Sequence, residues 1–230
     1  MYKAIIFDLD NTLLNYSLSE LDSMKRTLRD HQLFINEDEN WDKFWDAYTA
    51  INFRYWIDFV NKQGPNQSIE EVLSSSFRDT LHLSPAQNES LSNTYWNYFC
   101  NTCYFEDGAE ELLHSLNASY KLGVISNGVS VAQRKRLTAG NIYDMFESIV
   151  VSDEAGIRKP RKEIFDLSLN ELGLSNHEVL FVGDSITDDY QGAKNAGIDF
   201  CFYNRNVLTL TEEHQPKYVV SQLHELLEVI

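Results

Sequence analysis

Residues Lys3 to Phe7 form a short, mainly apolar run that passes directly into Asp8-Leu9-Asp10-Asn11-Thr12-Leu13. A run of this length and composition reads as a strand buried on both faces of a parallel sheet. The chain is thereby committed to an architecture in which helices cover a sheet on both sides. Side chains two apart in an extended segment share a face, so Asp8 and Asp10 are expected to point into one space just past the strand. In open α/β sheets, ligands bind outside the carboxyl ends of the strands. Neighbouring carboxylates repel unless a cation or a shared proton compensates, and the pair predicts a bound divalent metal.

Five more strand-like runs follow, at Lys121 to Ser126, Ser148 to Ser152, Glu178 to Gly183, Asp199 to Tyr203 and Lys217 to Val220. Helical patterns separate them: Gly108 to Leu116, Val129 to Ala139, Pro160 to Leu172, Asp189 to Ala196 and Gln222 to Val229. Pro160 suits the first turn of its helix and Gly173 suits its end. The alternation predicts an α/β fold with a Rossmann-like, doubly wound parallel sheet. Residues 16–102 differ in kind, because helical patterns dominate and β-branched strand runs are absent. We expect residues 1–15 and 103–230 to form the α/β core and 16–102 an inserted all-α domain.

The 230 residues carry a net charge of −16. Binding a nucleic-acid polymer rests on Lys and Arg neutralising phosphates, so such a partner is not expected; a small anion needs just one local cation. No apolar run approaches the roughly 18 residues of a membrane span, and no charged-then-apolar leader opens the chain. Three cysteines do not make a disulfide framework. The expectation is a cytoplasmic monomer or homodimer.

Three further strand ends carry polar residues suited to the same site. Ser126-Asn127-Gly128 offers a hydroxyl and backbone N–H groups at a helix start, a cradle for phosphate. Arg158-Lys159-Pro160 offers a point positive charge. Gly183-Asp184-Ser185-Ile186-Thr187-Asp188-Asp189 adds carboxylates. Taken in this order with Asp8-Leu9-Asp10-Asn11-Thr12, these segments resemble the four motifs of the haloacid dehalogenase superfamily. The resemblance covers the whole chain. A helical insertion just after the first motif is similar to the C1 cap of subfamily I, and Gly183 to Asp199 to the pyrimidine 5′-nucleotidase-like branch. Asn11 stands where that branch often has a second acid.

The resemblance implies a phosphatase. Asp8 would attack phosphorus and Asp10 would serve as acid and then base. Mg²⁺ would be held by Asp8, Asp184 and the backbone carbonyl of Asp10, with Asp189 and Ser185 supporting it from behind. Leu9, Thr12, Ser126, Asn127 and Lys159 would hold the phosphate oxygens. Asp188 reads as solvated surface. The implied substrate is a small phosphorylated metabolite, with nucleoside 5′-monophosphates first and a sugar phosphate or phosphoglycolate as alternative. A phosphomutase is possible on the same chemistry, and a non-catalytic binding protein is the reading from another class. A metal-free dehalogenase would not need Asp10. Cap closure over the site would exclude water.

Other features have plainer readings. The aromatic band Trp41, Phe44, Trp45, Tyr48, Phe53, Tyr55, Trp56 and Phe59 reads as helical-domain core, although a ring facing the cleft could stack a base. Cys100-Asn101-Thr102-Cys103 has redox or half-zinc spacing but no second pair, and reads as structural. The histidines show no ligand spacing. Glu37-Asp38-Glu39 reads as a solvated helix start.

Overall fold

The computed structural model describes residues 1–34 and 38–230. Glu37 of the acidic run lies outside them. The chain divides into two compact units, one of Met1–Ser19 with Cys100–Ile230 and the other of Glu20–Phe99.

The first unit is built on six strands: β1 (Ala4–Phe7), β2 (Lys121–Ser126), β3 (Phe146–Val151), β4 (Val179–Gly183), β5 (Asp199–Tyr203) and β6 (Tyr218–Val220). All neighbours pair in parallel, in the order β3-β2-β1-β4-β5-β6. The order reverses between β1 and β4, so a crevice opens at their carboxyl ends. Each residue of β1 is buried. Ile5 and Phe7 join one apolar cluster with Leu180, Val182 and Leu113. Ala4 and Ile6 join the other with Phe181, Phe165 and Ala193. Alternate side chains of one strand thus feed two cores, which is why these strands are apolar throughout rather than alternating.

Along the chain the helices are α1 (Tyr16–Asp30), α2 (Asp38–Val60), α3 (Ile69–Leu81), α4 (Pro85–Cys100), α5 (Ala109–Leu116), α6 (Ser130–Ala139), α7 (Ser152–Ala155), α8 (Lys162–Leu172), α9 (Gln191–Ala196) and α10 (Leu226–Val229). Among the described residues none is long and apolar enough to cross a membrane. The second unit closes on Met24, Leu28, Phe44, Tyr48, Phe77 and Tyr95, all buried. Tyr48 meets Phe77 at 5.1 Å and Tyr95 at 6.2 Å between ring centroids. Helix α3 starts where it does because the Ser68 side chain accepts from the Glu71 N–H, which satisfies a donor the first turn would leave unpaired. Of the aromatic band, Phe44 and Tyr48 are buried core, Phe53 is 66% exposed, and the others are half-buried.

Three helices start differently from expectation, and β3 starts at Phe146 rather than Ser148. Pro160 does not open α8: it lies two residues before Lys162, in a turn with a cis Lys159-Pro160 bond. The helix expected from Asp189 instead begins as a π turn over Ile186–Tyr190 and continues into α9. The last helix opens as a 3-10 turn over Leu223–Glu225 before α10. Cys100 and Cys201 are buried and Cys103 half-buried, all free. Burial pushes the thiols of Cys100 and Cys103 up to about 11, so both are protonated and poorly nucleophilic at neutral pH.

Candidate active site

Phe7 of β1 pairs with Val182 of β4, and the Asp8 N–H donates to the Val182 carbonyl at 2.8 Å. Residues that follow the two strands are therefore neighbours at the crevice. There the carboxylates of Asp8, Asp184 and Asp189 gather with ligand oxygens within 4.8 Å of one another. Lys159 is buried beside them. Its Nζ donates to Asp8 Oδ1 at 2.5 Å, Asp189 Oδ1 at 2.7 Å and the Ile125 carbonyl at 3.0 Å. A lysine ammonium has three donors, and all three are engaged.

Charge is unbalanced here. Three carboxylates against one ammonium leave two negative charges when every group is ionised. Burial alone would lower the Lys159 pKa, but the Asp189 and Asp8 carboxylates outweigh it and hold the ammonium protonated. Burial also drives the Asp8 carboxyl well above its ordinary range, with Lys159 opposing and Asp189 and Asp184 adding to the rise. Burial and the nearby Asp189 push Asp184 up to about 7. Surplus anionic charge, oxygen donors and desolvation together fit a divalent cation of the hard, oxygen-seeking kind.

Asp189 is held from below by the turn that carries it. The Ser185 N–H donates to Asp189 Oδ2 at 3.0 Å, and the Ser185 hydroxyl accepts from the Asp188 N–H at 3.1 Å. A side chain at Gly183 would put its Cβ 2.4 Å from Asp189 Oδ2 and 2.6 Å from its Cγ. Gly183→Ala is thus expected to destabilise the protein by about 1–3 kcal/mol, as overpacking does, read as a lowered melting temperature. An unchanged melt would mean that Asp189 is free to move aside.

The remaining residues singled out in the sequence are dispersed around this core. Leu9 is buried, and its carbonyl accepts from the N–H groups of Leu13 and Leu14, both at 2.9 Å. Thr12 is buried too, with a hydroxyl that has no hydrogen-bond partner among the described residues. The Ser126 hydroxyl accepts from Gln133 Nε2 at 2.9 Å. Asn127 grips the backbone of Lys159 on both sides, accepting from its N–H at 2.8 Å and donating to its carbonyl at 3.1 Å. The Asn127 side chain therefore aims the lysine.

Two expectations change. The Asp10 carboxylate is not among the three that gather in the acid cluster: β1 ends at Phe7, and strict alternation does not extend to residue 10. Its oxygens face α6, accepting from Arg136 Nη1 at 2.5 Å and Gln133 Nε2 at 2.6 Å. Asp188 is more than solvated surface, because it accepts from Asn127 Nδ2 at 3.1 Å and lies 4.0 Å from Arg158.

Gln133, Arg136 and Arg205 lie outside the sequence motifs. Arg205 Nη1 donates to Glu106 Oε1 at 2.6 Å and Asn11 Oδ1 at 3.0 Å, steadying the turn beyond Asp10. The one available signal was the spacing of Gln133 and Arg136, which puts two polar side chains on a single face of α6.

Residues 5–203 match the family model described as haloacid dehalogenase-like hydrolase. The chain is 30% identical over 227 residues to the pyrimidine 5′-nucleotidase YjjG of Escherichia coli strain K12, covering 98% of this chain and 96% of that one. It is 27% identical over 241 residues to the glyceraldehyde 3-phosphate phosphatase of Methanothermobacter thermautotrophicus, covering 100% of each. The solved structure of the HAD-hydrolase YfnB from Bacillus subtilis, bound to magnesium, is similar with a TM-score of 0.80 at 28% identity, covering 99% of this chain and 98% of that one.

Proposed function

The chain belongs to the haloacid dehalogenase-like hydrolase family, and from that premise we infer that it is a Mg²⁺-dependent phosphomonoesterase with Asp8 as nucleophile. One observation carries the reading: Asp8, Asp184 and Asp189 meet within 4.8 Å around the buried Lys159, at the strand ends.

Asp8 and Asp184 would hold the Mg²⁺ through their carboxylates and Asp10 through its backbone carbonyl. The ion would supply the positive charge that lets an anionic carboxylate approach an anionic phosphate. An Asp8 carboxylate oxygen forms the bond to phosphorus as the bond from phosphorus to the substrate oxygen breaks. The electron pair of that bond leaves with the substrate oxygen, which takes a proton from Asp10. Water then attacks phosphorus and gives a proton back to Asp10. The bond from Asp8 to phosphorus breaks, which restores the carboxylate and yields inorganic phosphate.

Lys159, steered by Asn127 and Asp189, would turn to the equatorial oxygens as the Asp8 oxygen it binds joins phosphorus, and the Ser126 and Thr12 hydroxyls would donate to the same oxygens. The buried Thr12 hydroxyl supports this, since such a group left unmade costs about 1–3 kcal/mol. Nucleoside 5′-monophosphates are the first substrate class, supported by the likeness to a pyrimidine 5′-nucleotidase. Triose phosphates come second, by the likeness to a glyceraldehyde 3-phosphate phosphatase.

Phosphate release from p-nitrophenyl phosphate, nucleoside monophosphates and triose phosphates tests the reading, with Mg²⁺ and with EDTA. Release with Mg²⁺ and its loss with chelator is the expected result. Equal release in both, or none in either, overturns it. Comparison of kcat/KM across the panel decides between the two substrate classes.

A further inference from the structure

Arg136 is wholly buried on α6, and Gln133 beside it is nearly so. A buried guanidinium is costly unless its charge is met, and the Asp10 carboxylate is one group that meets it. Arg136 Nη1 donates to Asp10 Oδ1 at 2.5 Å and to Gln133 Oε1 at 2.9 Å. Gln133 Nε2 donates to Asp10 Oδ2 at 2.6 Å and to the Ser126 hydroxyl at 2.9 Å. Each Asp10 oxygen thus has its own donor, and the two donors are tied to each other. The Asp10 side chain keeps 25% of its surface open, so it is gripped from the α6 side and accessible from another. Gly128 makes the grip possible: a Cβ there would lie 2.6 Å from Gln133 Nε2.

The geometry points to Gln133 and Arg136 as positioning residues for Asp10, a fork on α6 that sets the orientation of the acid–base carboxylate and links it through Gln133 to the phosphate-holding Ser126. This rests on the phosphomonoesterase reading above. Buried ion pairs are poor stabilisers by themselves, so the ion pair between Arg136 and Asp10 finds its use in the reaction. Proton transfer by a placed side chain contributes about 10²–10⁴-fold, and a misplacement of about 1 Å can forfeit about 10²-fold.

The two half-reactions separate this role from a structural one. p-Nitrophenolate is a good leaving group that departs without a proton, so phosphorylation of Asp8 by p-nitrophenyl phosphate needs little from Asp10. Attack of water on the phosphorylated Asp8 still needs Asp10 as base. A misaimed Asp10 therefore slows the second step and spares the first.

The test is stopped-flow release of p-nitrophenolate with Mg²⁺ from the wild type, Gln133→Met and Arg136→Lys, with folding checked by circular dichroism. Gln133→Met keeps the side-chain length and removes the donor. Arg136→Lys keeps the charge and gives up the guanidinium that places Nη1 on both Asp10 and Gln133. For each folded variant, steady-state turnover is expected to fall by about tenfold or more. The first turnover should stay within about threefold of wild type, leaving a burst stoichiometric with enzyme. First turnover and steady state slowing together would overturn the proposal, as would neither changing. A wild type without turnover would sink the phosphomonoesterase reading and this proposal with it, whereas an active wild type matched by both variants sinks this proposal alone.

Discussion

Asp8→Asn is expected to lower phosphomonoester turnover by at least about 10³-fold, the scale on which loss of a nucleophile acts, while the protein still folds. The amide is nearly isosteric with the carboxylate but cannot displace an alcohol from phosphorus. Stability should not suffer, for a physical reason found in the site. The Asp8 carboxyl is driven well above its ordinary range by burial, and by Asp189 and Asp184 against the pull of Lys159, so its ionised form is costly there. The neutral amide removes that cost, and Lys159 keeps Asp189 at 2.7 Å and the Ile125 carbonyl at 3.0 Å as partners. Phosphate release and a thermal melt on the same preparation check both halves. More than a few per cent of residual turnover would contradict the role given to Asp8.

Asp184→Asn is expected to blunt the protein's response to metal. A carboxyl raised from 3.8 to about 7 on folding binds its proton more tightly in the folded state. Its contribution to stability is therefore present at low pH and lost as the pH rises through about 7. Above that pH the ionised group costs on the order of a few kcal/mol in the metal-free protein. With EDTA at pH 8 the variant should melt higher than the wild type, and its melting temperature should fall less between pH 5 and pH 8. Added Mg²⁺ should raise the wild-type melting temperature, because a ligand that binds the folded state stabilises it by mass action. The variant should respond much less. Equal stabilisation of both proteins by Mg²⁺ would show that Asp184 is not a ligand.

The apolar runs of β1, β2 and β4 could be read directly, since strands covered on both faces carry no polar alternation. The polar turns that follow them were equally visible, because Asp8, Ser126 and Asp184 each stand at a strand end. Side-chain direction past those ends was another matter. Strand periodicity puts Asp10 on the side of Asp8, and β1 ends at Phe7 before that period reaches it; the Asp10 carboxylate accepts from Gln133 and Arg136 of α6. Asp188 was expected in water, but the π turn over Ile186–Tyr190 brings it to Asn127. Pro160 was expected to open α8, and belongs instead to the turn that delivers Lys159. In each case the deciding geometry sits in a turn, where hydrophobic period carries no information.

Local pattern was enough to settle the order of the elements, the burial of the strands and the identity of the polar residues at their ends. It could not say which end meets which. Lys159 and Asp8 are 151 positions apart and Arg136 and Asp10 are 126 apart. Their meeting depends on β4 pairing beside β1 and on α6 packing with its polar face toward the turn after β1. Such contacts form when the whole sheet assembles, because strand adjacency is a property of the packed core and not of any one segment.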